Sequence, residues 1–290
     1  MRVVLFGGSG FVGRALSAKL MAAGHEVSVA SRVGRALPGV RVVEGDPLAA
    51  PLRVRALAGS EVAVNLIGIL HGKADRFHQV HVELAEAIAE SCIKLGVPRL
   101  VHMSALHADP GGPSLYLKSK GEGEAAVHAL GARGLEVISV RPSVIFGAED
   151  GFLNRFAKLL RIAPGVMLLP GARARFAPVY VGDVAKIFVR AIEGEFAAGT
   201  RLDLCGPQDY TLLELVRQVA KWSGHRRLIL PMPERLAQLT AGAFELLPSP
   251  PLTRDNLASM RIDSVCPLDC PRQMTRLEDV APTYLGGRRR

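Results

Sequence analysis

The stretch VHMSALHADPGGPSLYLKSK (residues 101–120) holds a serine, a tyrosine and a lysine whose types and spacing suit proton transfer. Tyr116 and Lys120 stand four residues apart, so in a helix they share a face. An ammonium beside a phenol favours the phenolate, which should lower the tyrosine pKa from about 10 toward the working range. Tyr116 would then pass a proton to or from a substrate oxygen while hydride moves to or from a nicotinamide. Lys120 could also hold the nicotinamide ribose, and Ser104, twelve residues before the tyrosine, could hold the substrate oxygen. The motif also recurs by chance on helices whose tyrosine merely packs, so what lies upstream must decide.

Upstream, FGGSGFVG places Gly7, Gly10 and Gly13 between an apolar run, RVVLF (2–6), and an amphipathic segment from Phe11 to Ala23. Glycines let a backbone turn sharply and approach a pyrophosphate. The amides of Phe11, Val12 and Gly13 at the helix start then face it, with the positive end of the helix dipole behind them. A second strand, EVSVASR, ends in Ser31-Arg32, nineteen residues after Gly13. A carboxylate there would bind the adenosine ribose and repel a 2′-phosphate; an arginine does the reverse. Arg32 therefore predicts NADP(H) over NAD(H), with Arg14 and Arg35 either assisting or serving as solvated surface charge. Asp46, ending the third strand (40–46), is placed to touch the adenine. Leu66 to Gly68, ending the fourth (61–68), should floor the cleft beyond the strands' carboxyl ends.

These residues need a frame. A helical pattern from Phe77 to Leu95 is closed by Gly96-Val97-Pro98. A strand follows at 99–104, a helix at 115–134 and a strand at 135–142. Nearly all-apolar strands alternating with helices predict an α/β fold with a parallel sheet covered on both faces. Beyond Pro142 the spacing predicts helices at 150–162, 183–194, 211–223 and 233–246, with short strands near 176–181 and 201–205, as in a smaller C-terminal lobe that shapes a substrate pocket. The stretch PERLAQLTAGAFELLP reads as a helix packed on that lobe's core, and less readily as an apolar surface helix for a partner or membrane.

Bulk properties exclude several classes. The chain has 290 residues, 49% of them hydrophobic, which is globular rather than disordered. Its net charge of +9 would suit nucleic acid, but aromatics are only 5% and no nucleic-acid motif occurs, so nucleic acid is not the expected partner. An anionic cofactor, or attraction to an acidic membrane or protein surface, accounts for the charge instead. No apolar run reaches the ~18 uncharged residues of a transmembrane segment, and the start does not read as a signal peptide; the expected location is cytoplasmic. Cys92, Cys205, Cys266 and Cys270 fit neither a zinc site nor a redox pair and read as reduced structural thiols, and no metal site is expected.

GGSGFVG, SALHADPGGPSLYLKSKGEGE, RPSVIFG and PVYVGDVA together resemble the short-chain dehydrogenase/reductase superfamily in its extended, epimerase-like form. More narrowly, RPSVIFGAEDGFLNRFAKLLR, CGPQDYTLLELVRQVA and LPSPPLTRDNLASM resemble the nucleotide-binding accessory subunit of respiratory complex I and its bacterial relatives, nearly end to end. The resemblance implies a doubly wound Rossmann sheet over 1–142 with a return segment at about 176–200, and a smaller lobe from 143–175 and 201–290. It implies that the glycines, Arg32, Asp46, Tyr116, Lys120 and Pro142 line a dinucleotide. It also implies a peripheral position at the inner membrane and association with a respiratory complex. Where the superfamily carries an asparagine in the helix after the fourth strand, this chain has His81, read either as a relay or as a satisfied structural histidine. Three functions follow: an NADP(H)-dependent oxidoreductase acting on an unidentified carbonyl, alcohol or quinone; a non-catalytic NADP(H)-binding module; or a sugar-nucleotide epimerase/dehydratase recycling NAD, which Arg32 disfavours.

Overall fold

In the computed structural model, which describes residues 1–32, 38–225, 227–248 and 250–286, the chain divides into two compact units. The first comprises Met1–Pro142 and Val181–Asp203, the second Ser143–Tyr180 and Leu204–Arg290.

The first unit is built on strands β1 (Arg2–Phe6), β2 (Glu26–Ser31), β3 (Arg41–Glu44), β4 (Val62–Asn65), β5 (Arg99–Met103), β6 (Glu136–Pro142) and β7 (Arg201–Leu204). Its helices are α1 (Phe11–Ala22), α2 (Ala50–Leu57), α3 (Ala74–His78), α4 (Leu84–Leu95), α5 (Leu115–Ala129) and α6 (Val181–Ile192). The sheet order is β3-β2-β1-β4-β5-β6-β7, and β1 to β6 pair in parallel. This is a Rossmann sheet with helices on both faces. Alternation assigns the faces. Val4, Phe6, Ala63, Leu100 and Val137 pack against α2, α4 and α5, while Val3, Leu5, Val62, Val101 and Ile138 are buried on the other face. The strand order reverses between β1 and β4, so the loops after these two strands diverge and leave a crevice at the sheet's carboxyl edge.

The helical pattern from Phe77 to Leu95 is continuous but not uniform. Residues Gln79–Glu83 wind as a π-turn between α3 and α4, and His81 lies inside it.

In the second unit, helices Leu153–Ile162, Leu212–Trp222 and Leu277–Leu285 share one apolar core, and Thr211 with Glu214 forms a capping box on the second of them. Helix Glu234–Phe244 packs Ala237 and Ala241 against Leu252 and Leu257, and leaves Leu236 and Leu239 exposed. The thiols correct the sequence reading. Cys205 and Cys266, 61 residues apart, form a disulfide, while Cys92 is free and buried and Cys270 is free and half-buried. That separation hides the pairing in the sequence. The residue just past β7 is brought beside the segment after Ser264, which itself bridges to Phe176.

Candidate functional site

The sequence-predicted site residues of the first unit gather at one edge of its sheet, because β1 to β6 are parallel. Gly7, Gly10, Phe11, Val12 and Gly13 follow β1; Ser31 ends β2 and Arg32 follows it; Asp46 lies two residues past β3; Leu66 and Gly68 follow β4; Ser104 follows β5; Pro142 ends β6. Arg35 lies outside the described residues.

The β1–α1 loop has the form of an anion cradle. Gly7 has φ +85°, a left-handed conformation that side chains resist. A Cβ on Gly13 would stand 2.4 Å from the Gly8 Cα, so only glycine lets the first turn of α1 press on the loop. Gly10 caps α1 without a side chain, and no acidic residue occupies the first turn, so no carboxylate of α1 itself neutralises the positive helix end. These features fit a pyrophosphate. Ser9 Oγ lies 3.0 Å from Ser31 Oγ and ties the loop to the end of β2, beside exposed Arg32. The Asp46 carboxylate accepts from the Leu48 amide (3.1 Å), which orders the turn into α2 and leaves this side chain exposed. Leu66 is buried under the crevice, and the Pro142 carbonyl accepts from the Leu106 amide (3.0 Å), which holds the chain just past Ser104.

Tyr116 and Lys120 lie on α5, whose start is capped by Ser114 Oγ accepting from the Leu117 amide (3.1 Å). Lys120 is only 4% exposed and donates to the Met103 carbonyl at 2.5 Å, one residue before Ser104. Ser104 Oγ is buried without a hydrogen-bond partner among the described residues. Tyr116 is half-buried, with its ring edge-on to Phe77 and His81. Burial pushes its phenol up to about 12 and pushes Lys120 down to about 8. This reverses the direction expected from a neighbouring cation: desolvation dominates the phenol, and the ammonium is turned to the Met103 carbonyl.

His81 has a fixed tautomer. Its Nε2 accepts from the Ile69 amide (3.0 Å), so Nδ1 carries the proton and donates to Ser119 Oγ (2.8 Å), which in turn donates to the Tyr116 carbonyl (3.1 Å). Burial, with Lys120 nearby, pushes this imidazole down to about 3. Both ring nitrogens are engaged, and the neutral ring pins the loop after β4 to α5.

Three further features escaped the sequence reading. Tyr116, Lys120, Glu124 and His128 recur every four residues on α5, and the last three reach the sheet: Lys120 to Met103, Glu124 to Arg141 (Nε at 2.9 Å), and His128 to Ser139 (2.9 Å). Across β4, β5 and β6, Asn65, His102 and Ser139 are register neighbours on that face. Asn65 Nδ2 lies 3.3 Å from His102 Nδ1, and its Oδ1 accepts from the Ile67 amide. Finally, Gly121 and Gly123 sit where a Cβ would stand 2.4 Å from the Asp109 backbone and 1.9 Å from the His81 carbonyl. Two glycines inside a helix were the available signal, because helices disfavour them unless another backbone comes close.

Comparison with known proteins agrees with this architecture. The NAD dependent epimerase/dehydratase family profile matches residues 3–203. The mouse mitochondrial protein "NADH dehydrogenase [ubiquinone] 1 alpha subcomplex subunit 9" is 34% identical over 235 residues, which cover 80% of this chain and 60% of the mouse protein. This chain therefore spans less than two thirds of that relative. The human "Epimerase family protein SDR39U1" is 28% identical over 268 residues, covering 83% of this chain and 87% of the human protein. Among solved structures, the Thermus thermophilus UDP-glucose 4-epimerase in complex with NAD superposes with a TM-score of 0.69 at 22% identity, covering 90% of this chain and 99% of that one; it speaks to the fold alone. No helix among the described residues is long and apolar enough to cross a membrane. With more than half of its length matched by the family profile and the glycine cradle at its sheet's switch point, this chain belongs to the NAD dependent epimerase/dehydratase family, in its extended short-chain dehydrogenase/reductase form, and is homologous to complex I accessory subunits.

Proposed function

We propose that the first unit binds NADP(H) in preference to NAD(H) and presents its nicotinamide end to Ser104, Tyr116 and Lys120 as an oxidoreductase site for a carbonyl, alcohol or quinone. One observation carries this reading: a helix start capped by glycine, with no acid in its first turn and packed closely between Gly8 and Gly13, shares one sheet edge with the only Tyr-x-x-x-Lys in the sequence. Gly7, Gly10, Phe11, Val12 and Gly13 would hold the pyrophosphate, with Ser31 and Arg32 at the 2′-phosphate. Asp46 would lie at the adenine, and Leu66, Gly68 and Pro142 along the floor. When bound, the dinucleotide supplies or accepts hydride. Ser104 Oγ, buried and unpartnered, would orient the substrate oxygen. The Tyr116 phenol, held protonated at neutral pH by burial, suits proton donation to a carbonyl being reduced. Lys120, buried and held on the Met103 carbonyl one residue before Ser104, would bind the nicotinamide ribose.

A second reading has its own support: NADP(H) held as a structural part of a module that associates with a respiratory complex at the cytoplasmic face of a membrane. The 34% identity to a complex I subunit favours it. Replacing Tyr116 by Phe separates the two. On the oxidoreductase reading, the variant binds NADPH as wild type does, and wild type alone oxidises NADPH when given a panel of carbonyls and quinones. A wild-type protein that binds NADPH and oxidises it with no member of the panel selects the structural reading.

A further inference from the structure

The second unit carries a surface with no part in the chemistry above. Strands Val166–Leu169 and Leu228–Pro231 form a two-stranded parallel ribbon, with Val166 opposite Leu228 and Leu168 opposite Leu230. Side chains alternate along it. Leu169 and Ile229 point into the unit's core and are buried. Val166, Leu168, Leu228 and Leu230 share the outer face and are 47%, 43%, 58% and 40% exposed. Ile162, four residues before the ribbon, is 72% exposed. Scattered exposed aliphatics need no explanation, but four in register on one sheet face form a patch.

The setting of this patch is cationic. Beside Leu228 and Ile229 opens a groove of about 820 Å³ lined by Arg217, Lys221 and Arg227 and by no acidic residue. Residues 151–174, which lead into and through the first strand, contain four Arg or Lys and no Asp or Glu. Residues 215–233, around the second strand, contain another four and again no acid. Of the carboxylates that flank this second stretch, Glu214 accepts from the Thr211 amide and hydroxyl and lies within electrostatic reach of Arg217, and Glu234 lies 3.6 Å from Arg261.

We infer that this ribbon and its basic groove dock the protein on an anionic lipid bilayer, with the four aliphatic side chains entering the headgroup boundary and Arg217, Lys221 and Arg227 meeting lipid phosphates. Exposed aliphatic side chains flanked by arginines and lysines are what a bilayer interface accepts. Nucleic acid would want aromatic platforms, and the ribbon's outer face has none. Docking of this kind is independent of whether the first unit binds a dinucleotide.

Flotation of the full chain with lipid vesicles tests this directly. Wild type should float with vesicles containing phosphatidylglycerol, stay behind with pure phosphatidylcholine, and be released by high salt. Leu228→Ser with Leu230→Ser, and separately Arg217→Ala with Lys221→Ala, should each lower the vesicle-bound fraction about tenfold or more. All four positions are exposed, and an unchanged melting temperature and circular dichroism would confirm that the variants fold. Wild type that fails to float, or variants that float as wild type does, would overturn the inference. So would flotation abolished by inorganic phosphate but not by chloride at the same ionic strength, which marks a small-anion site, or retention on an acidic polypeptide with no vesicle binding, which marks a protein face.

Discussion

Replacing Gly123 by alanine should destabilise the protein, although helix propensity alone says the opposite. Gly123 lies inside α5, where exchanging glycine for alanine ordinarily gains about 1 kcal/mol. Here the added Cβ would stand 1.9 Å from the His81 carbonyl oxygen. Close C–H···O contacts lie at about 3.3 Å, so α5 and the π-turn must separate by more than ~1 Å. Overpacking of this kind costs about 1–3 kcal/mol, enough to reverse the propensity gain. The separation would also shift Tyr116 and Lys120, which ride on the same helix, and a displacement of about 1 Å at a reacting centre can cost on the order of 10²-fold in rate. Urea unfolding of Gly123→Ala against wild type measures the first effect. Gly131→Ala is the control, because a Cβ there meets nothing within 4 Å, and it should be neutral or stabilising. If Gly123→Ala proves as stable as that control, the close approach of α5 to the π-turn is wrong.

Gly13→Ala should abolish dinucleotide binding while leaving the second unit's core intact, since its Cβ would collide with Gly8 at 2.4 Å; fluorescence titration with NADPH reads this. His81 should make the protein acid-labile. Its folded pKa of about 3 lies below the ordinary 6.5, so the unfolded chain takes up the proton first and stability falls as pH drops from about 6.5 toward 3. His81→Asn should flatten that part of the pH–stability curve, and an unchanged slope would assign the acid sensitivity to other groups. Reducing the Cys205–Cys266 bond, which spans 61 residues, should cost the second unit up to about 4 kcal/mol, visible as a lower urea midpoint in dithiothreitol.

Much of the architecture was readable because it rests on local pattern. Apolar strands alternating with helices can bury both faces only as a parallel sheet, and that topology by itself brings Gly7, Arg32, Ser104 and Pro142 to one edge. What the sequence withheld depends on contacts between distant segments. The direction of the Tyr116 shift turns on how deeply the phenol is desolvated against how close Lys120 comes to it, and spacing within one helix sets neither. His81 sits in a pattern that reads as plain helix, and only the Ile69 amide and Ser119 show that both ring nitrogens are engaged. The disulfide joins residues 61 apart, while Cys266 and Cys270, the two closest in sequence, do not bond to each other. Glu124 and His128 complete a stripe with Tyr116 and Lys120, yet on sequence alone charged residues on a helix read as its solvated face.

The central claim is that the β1–α1 cradle takes a pyrophosphate and Arg32 takes the phosphate that distinguishes NADP(H). Calorimetric titration of the purified, nucleotide-free chain with NADPH and with NADH tests it most directly. The account predicts that NADPH binds the more tightly and that Arg32→Ala removes about tenfold of its affinity while leaving NADH unchanged, as expected for an exposed charge-assisted contact. Heat from neither dinucleotide would contradict it.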